Sequence, residues 1–327
     1  MRNNNIQLTR SSGVASRIRK AVSRTLKHDR FGYIVSFAAG LLILLITATI
    51  FYELVSRSSP SRASFGLRFL FSTTWDPVSN EFGALPFIYG TVVTSILSLI
   101  IAVPIGLGSA IFLAEMAPPR FSDALAFLVE LLAAVPSVIY GLLGIFVLIP
   151  VLNSTIVPAL KDWFGFLPFF HGDFYGVSLL SAGVVLALMI VPFIISVSRE
   201  VLLAVPRDLR EAALALGSTH WQTTWRVIIP SAMKGIVGSI FLALGRALGE
   251  TMAVTMVIGN TPNIKASLLA PGYSIAAVIA NEFTEAVGKL YLSSLIELGL
   301  VLFVLTIIIN ALARVLIMAT IHRGVNS

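Results

Sequence analysis

The chain contains apolar stretches without charged side chains that are long enough to cross a lipid bilayer. One runs from Ile34 to Tyr52 and another from Phe82 to Ala114. A helix needs roughly 20 apolar residues, each adding about 1.5 Å, to span the hydrocarbon layer. A transmembrane barrel would instead alternate apolar and polar residues in short strands. These continuous apolar runs therefore predict an all-α membrane protein.

The spacing of the apolar runs predicts six transmembrane helices. Only 12% of the residues are charged, whereas soluble domains have about 25%. We expect a transmembrane domain over 33–320, preceded by a cytoplasmic segment, 1–32. The six segments that qualify as spans are about 33–55, 87–114, 124–152, 177–198, 235–259 and 291–318.

The distribution of Lys and Arg predicts the orientation of the spans. Most basic residues lie before residue 33 or in the loop 199–234, and positively charged loops stay in the cytoplasm. Six spans then place both termini in the cytoplasm. The net charge of +7 reflects this topology and does not indicate nucleic-acid binding.

The N-terminal segment 1–32 combines basic residues with an apolar helical stripe. Val14, Ile18 and Leu26 share one face, and Arg17 and Lys20 flank it. This pattern is typical of an amphipathic helix that lies on anionic membrane lipid. A disordered basic tail is the alternative interpretation.

Several kinds of chemistry are excluded by residues that the sequence lacks. There is no cysteine, so no disulfide or thiolate site can form. The four histidines lie far apart in the sequence, and we expect no metal site and no cofactor. There is no GxxxxGK[ST] motif, so the chain has no P-loop that could hold a nucleotide.

The loop 206–235, PRDLREAALALGSTHWQTTWRVIIPSAMKG, predicts a cytoplasmic hairpin of two short helices. The first helix should run from 206 to 216 and end at Gly217, which suits a left-handed cap. Ser218 or Thr219 can cap a second helix that reaches Ile228. Pro230 then separates this helix from the fifth span.

Small residues and a carboxylate on the hairpin favour docking to a partner protein. Ala212 and Ala213 allow close approach, and Glu211 supplies a charge at the edge of that surface. The alternative is a hairpin without a partner, which Trp221 and Trp225 anchor in the membrane interface.

The hairpin resembles the EAA loop of the permeases of ABC importers. The matching residues are Glu211, Ala212 and Ala213, then Gly217 and Pro230; the family's Ile-x-Leu before the proline is here Val227-Ile228-Ile229. The resemblance implies a type I importer permease fold in a bacterial inner membrane, in which this hairpin docks onto an ATPase subunit and transmits its motion. It also implies a transport subunit rather than an enzyme, with ATP handled by another polypeptide, because this chain has no P-loop.

Further stretches resemble the PstC-type permease of phosphate importers. They are FIYGTVVTSILSLIIAVPIGLGSAIFLAE, ELLAAVPSVIYGLLGIF, MIVPFIISVSREVLLAVPRDLREAALALG and GRALGETMAV. This resemblance implies a sister permease of PstA type, a dimer of PstB-type ATPases and a periplasmic PstS-type phosphate-binding protein as partners. The alternatives are the PstA-type sister itself, a permease for molybdate or sulfate, or an ion-coupled carrier, which would need charges on several spans.

The stretch GRALGETMAV places two charges, Arg246 and Glu250, inside the fifth predicted span. Their spacing puts them on one face of a helix, where they can pair. Charged residues within a membrane usually face a cavity or a partner. Arg246 is the only basic residue deep in a predicted span, and its fork suits phosphate oxygens. We predict that Arg246 exchanges between Glu250 and phosphate; a static ion pair is the alternative.

Gly245 and Gly249 form a small-residue stripe beside the two charges. Such stripes allow helices to pack closely, so we predict a tight helix contact there. Glu130 and Glu297 also fall in predicted spans and are weaker candidates for a functional charge.

Overall fold

The computed structural model describes residues 32–324, which are almost entirely helical. The chain divides into two compact units, Met1–Ser56 and Arg57–Ser327. The helices are α1 (Gly32–Arg57), α2 (Ser59–Phe65), α3 (Arg68–Phe71), α4 (Leu85–Met116), α5 (Pro119–Ala133), α6 (Ser137–Phe164), α7 (Leu179–Leu203), α8 (Arg207–Ala215), α9 (His220–Leu248), α10 (Met252–Val257), α11 (Ile275–Glu282) and α12 (Lys289–Gly324).

Within the described residues, six helices are long and apolar enough to cross a membrane. They are α1, α4, α6, α7, α9 and the part of α12 from Lys289 to Leu312. The prediction of an all-α protein with six spans is therefore confirmed. The predicted amphipathic segment, 1–32, lies outside the described residues apart from Gly32, and it stays a prediction.

The third span begins later than the sequence indicated. Residues 119–133 form the separate helix α5, and the span itself is α6. Pro136 separates the two because the residue before a proline is disfavoured in the α conformation. The prediction of one span over 124–152 is therefore wrong, and Glu130 lies exposed on α5, outside the spans.

Widened turns precede several prolines that lie in or just after the long helices. Within residues 32–324, π turns occur at Phe112–Met116, Gly144–Leu148, Leu152–Ile156 and Thr224–Ile228. Each is followed by one residue and then a proline, namely Pro118, Pro150, Pro158 or Pro230. A proline lacks an N–H group and its ring clashes with the carbonyl one turn earlier. A widened turn before the proline relieves that clash, which is why α6 and α9 continue through it.

The helix α7 lies at the centre of the second unit. Leu186, Ile190 and Ile194 on α7 are fully buried in its largest apolar cluster. α4 approaches α7 closely, because a Cβ added at Gly106 would lie only 2.8 Å from Cγ2 of Ile194. The same cluster includes residues of α9 and α10, so the fifth predicted span is held directly against the core.

Candidate functional site

The stretch GRALGETMAV is not one continuous helix. α9 ends at Leu248, the chain passes through Gly249, Glu250 and Thr251 without helical structure, and α10 begins at Met252. The prediction that Arg246 and Glu250 share one helical face is therefore wrong. Gly249 is the residue that ends α9, and glycine is the weakest helix former besides proline.

Glu250 caps the first turn of α10 from the position just before the N-cap residue, Thr251. Its Oε1 atom accepts a hydrogen bond from the backbone N–H of Ala253, with a distance of 3.2 Å between oxygen and nitrogen. The first N–H groups of a helix have no partner within the helix, and a carboxylate there is favourable. Among the described residues, no ion pair joins Glu250 to Arg246.

Arg246 contacts an aromatic ring instead of a carboxylate. Its Cζ atom lies 5.8 Å from the centroid of the Phe193 ring on α7, which is a cation–π distance. The Arg246 side chain is exposed at the surface of this chain. A guanidinium held in this way keeps its hydrogen-bond donors available to an anion.

The tight glycine contacts of this region lie on α6 rather than in the predicted stripe. A Cβ at Gly141 would lie 2.5 Å from Sδ of Met256, and one at Gly144 would lie 2.8 Å from Cγ1 of Val257. The start of α6 therefore packs directly on α10. Sequence reasoning quoted VPSVIYGLLG but missed this role; the three-residue spacing of its glycines was the available signal.

Gly245 and Gly249 face open space within the part of the chain that the structure describes. A Cβ at Gly245 would meet no atom within 4 Å, and one at Gly249 would meet only the Gly245 carbonyl at 3.7 Å. The predicted tight helix contact is therefore not made among the described residues of this chain. It stays a prediction for a neighbouring subunit, on the same surface as Arg246.

The remaining intramembrane acid, Glu297, belongs to a different part of the molecule. It is 5% exposed on α12 and interacts with Ser61 and Arg62 of α2. These interactions link α2 to the sixth span and give the buried carboxylate some of the compensating partners that it needs.

The cytoplasmic hairpin has the predicted corner. α8 ends at Ala215, and Gly217 has a φ of +86°, a conformation that glycine adopts readily. The N–H of Ser218 donates to the Ala213 carbonyl at 3.2 Å, which closes the turn. Thr219, rather than Ser218, caps the next helix: its Oγ1 accepts from the Gln222 N–H at 3.2 Å, and its own N–H donates to Gln222 Oε1 at 3.0 Å.

The second arm of the hairpin is continuous with the fifth span. Residues from His220 to Leu248 form one helix, and the π turn Thr224–Ile228 lets it pass Pro230. The predicted separation at Pro230 is therefore wrong. A displacement of the hairpin corner would act directly on the helix that carries Arg246.

The residues predicted to face a partner divide between two sides of α8. Glu211 and Ala212 are exposed, whereas Ala213 is only 8% exposed. Ala213 therefore packs within this chain, because α8 lies against the π turn of α9. Leu216, which is 88% exposed beside Gly217, extends the outward-facing surface at the corner.

Known proteins identify the class to which this fold and hairpin belong. Residues 102–321 match the family described as "Binding-protein-dependent transport system inner membrane component". One chain of the MetNI methionine ABC transporter, solved in an inward-facing conformation, superposes with a TM-score of 0.52 at 18% identity, covering 75% of this chain and 99% of that one. This likeness concerns the fold alone. The chain is thus a multi-pass inner-membrane permease with the fold of an ABC importer.

Curated relatives narrow this class further. The chain is 48% identical over 301 residues to the phosphate transport system permease protein PstC of Mesorhizobium japonicum, covering 91% of this chain and 92% of the relative. It is 48% identical over 282 residues to PstC of Pasteurella multocida, covering 85% and 88%. Within the permease class, the chain belongs to the PstC family of phosphate transport permeases. This confirms the resemblance to the PstC-type permease that the sequence motifs indicated.

Proposed function

We propose that this chain and a PstA-type sister permease form the pathway of an ATP-driven phosphate importer, with Arg246 as the cation that phosphate meets. The chain is a permease subunit, and the ATPase is a separate protein. A PstB-type ATPase dimer would supply the energy, and a periplasmic PstS-type protein would deliver phosphate. Membership of the PstC family is the single observation that supports phosphate as the substrate.

The position of Arg246 suits an anion that must enter and leave. Burying an isolated phosphate ion would cost tens of kcal/mol in the simplest solvation picture, so a pathway needs a fixed cation. Arg246 is exposed on this chain and contacts Phe193. A cation–π contact is weaker than a charge-assisted hydrogen bond to phosphate. Phosphate can therefore displace it without first breaking an ion pair.

The observed role of Glu250 changes the exchange that the sequence predicted. Glu250 caps α10, so Arg246 need not be released from it when phosphate arrives. In this proposal, Glu250 keeps the helix break open and places a negative charge near the site. That charge limits how tightly phosphate binds, which favours its release.

The hairpin supplies the connection to the ATPase. Glu211 and Ala212 face outward, Gly217 forms the corner, and Pro230 lies where the π turn meets the rest of α9. Closure of the ATPase dimer would displace this corner. Since α9 runs from the corner to Leu248 without a break, the displacement would reorient the surface that carries Arg246.

Reconstitution of the whole complex tests the function. The chain is assembled with its PstA-, PstB- and PstS-type partners in proteoliposomes, and uptake of radiolabelled phosphate is measured with ATP or ADP on the ATPase side. We expect uptake that requires both ATP and the binding protein and that excess sulfate does not reduce. Uptake of sulfate or molybdate in place of phosphate, or phosphate uptake driven by an ion gradient without ATP, would contradict the proposal.

A further inference from the structure

One partly buried guanidinium joins the cytoplasmic hairpin to two transmembrane helices. Arg210 lies on α8, and its Nη2 and Nε atoms lie 2.8 Å and 3.4 Å from the two carboxylate oxygens of Glu115. Glu115 belongs to the π turn that ends α4. Its side chain is 8% exposed and that of Arg210 is 21% exposed. A two-pronged Arg–carboxylate contact of this kind fixes both distance and orientation.

The same guanidinium also binds the end of α7. Nη1 donates to the Val205 carbonyl at 2.6 Å, and Nη2 donates to the Leu202 carbonyl at 2.8 Å. The last carbonyls of a helix have no partner within the helix, and Arg210 supplies one. Lysine could not replace it, because only arginine has enough donors in a rigid plane for all of these contacts.

A second arginine extends this anchoring to α5. Arg199, near the end of α7, donates to Ser122 Oγ at 3.1 Å and pairs with Asp123 at 3.0 Å. Ser122 in turn donates to the Leu113 carbonyl at 2.7 Å. The cytoplasmic ends of α4, α5 and α7 are therefore tied to each other, and Arg210 ties α8 to them.

Adjacent residues of α8 thus lie on different sides of this helix, one facing outward and one facing the transmembrane helices. Glu211 is exposed on the outward side, while Arg210 contacts the transmembrane helices. A short helix that is pushed from outside moves a helix bundle only if it is attached to that bundle. The continuity of α9 provides one attachment, and the contacts of Arg210 provide a second, to α4 and α7.

We propose that the Arg210–Glu115 pair carries the movement of the hairpin to α4 and α7, so that it couples ATP hydrolysis to transport. Both are positioning residues that act through the helices they join. This inference rests on the proposed function, because it requires an ATPase that displaces the hairpin. The inference assigns the coupling of ATP hydrolysis to transport to the Arg210–Glu115 contact inside the permease. It does not assign this coupling to the outward face of α8.

The inference is tested by the coupling ratio of the reconstituted complex, which is the amount of phosphate imported per ATP hydrolysed. Glu115→Gln keeps the shape of the side chain and removes its charge, while the outward face of α8 is unchanged. We expect ATP hydrolysis stimulated by phosphate-loaded binding protein to persist, and the phosphate imported per ATP hydrolysed to fall about fivefold or more.

Arg207→Gln is the matched control, since Arg207 is exposed on the same helix, and it should leave the ratio unchanged. A Glu115→Gln ratio equal to that of the unsubstituted complex would overturn the inference, as would a parallel loss of hydrolysis and uptake.

A reversible cross-link gives a second readout that a general loss of stability would not produce. The chain has no cysteine, so a Glu115→Cys, Arg210→Cys double variant carries only the two introduced thiols. We expect its coupling ratio to be low, to recover when a short bifunctional thiosulfonate joins the thiols, and to fall again on reduction. Absence of recovery despite a complete cross-link would overturn the inference. If the unsubstituted complex showed no ATP-dependent phosphate uptake, the proposed function itself would fail instead.

Discussion

At the scale of single residues, the two charges of GRALGETMAV have different tasks. Arg246 lies over Phe193 and is exposed, whereas Glu250 accepts a hydrogen bond from the first turn of α10. The sequence identified both residues because charges are rare in apolar segments. It could not identify their partners, because the spacing of four residues implies a pair only if the helix continues. Gly249 ends the helix between them.

The cap role of Glu250 predicts how much each substitution at this position lowers the free energy of unfolding. Glu250→Ala removes the acceptor for the Ala253 N–H and should lower the free energy of unfolding of the purified chain by about 1 kcal/mol. Glu250→Gln retains an acceptor oxygen and should cost less than half of that. Chemical unfolding in detergent, followed by circular dichroism, measures both. Equal losses for the two variants would show that the charge matters rather than the cap, as an ion pair with Arg246 would require.

At the scale of helices, prolines and glycines determine where the elements turn. The corner of the hairpin was predictable, because Gly217 followed by a Thr–x–x–Gln sequence is a typical end-and-start signal. The continuity of α9 through Pro230 was not predictable from propensity, since a proline normally ends a helix. The π turn that accommodates the proline packs against α8, and hydrophobic periodicity does not reveal such a turn.

The left-handed conformation of Gly217 predicts a cost for any side chain there. Gly217→Ala places a Cβ on a residue with φ of +86° and should lower the free energy of unfolding by about 1–2 kcal/mol. Because the strain falls on the corner that we propose docks onto the ATPase, uptake by the complex should fall as well. Gly238→Ala is the control: Gly238 lies in α9, and its added Cβ meets no atom within 4 Å. A helix interior favours Ala over Gly by roughly 0.5–1 kcal/mol, so this variant should be as stable as the parent or more so. Equal destabilisation by the two substitutions would contradict the account.

At the scale of the whole molecule, hydropathy and charge were enough to predict the number of spans. They could not predict which helices pack together, because a lipid-facing surface and a buried one are both apolar. The contact of α6 with α10 through Gly141 and the central position of α7 became apparent only in three dimensions. Hydropathy likewise does not show whether the open surface at Gly245 and Arg246 faces lipid or another subunit. We propose that it meets the sister permease and lines the pathway there.

Phosphate uptake by an Arg246→Gln variant of the reconstituted complex tests this account most directly. Losing a charge-assisted hydrogen bond costs about 1.5–3 kcal/mol, so we predict that uptake falls at least about tenfold while subunit assembly remains normal. Arg314→Gln, a substitution at an exposed position of α12, should leave uptake unchanged. Normal phosphate uptake by Arg246→Gln at normal protein level would contradict the claim that Arg246 is the cation of the pathway.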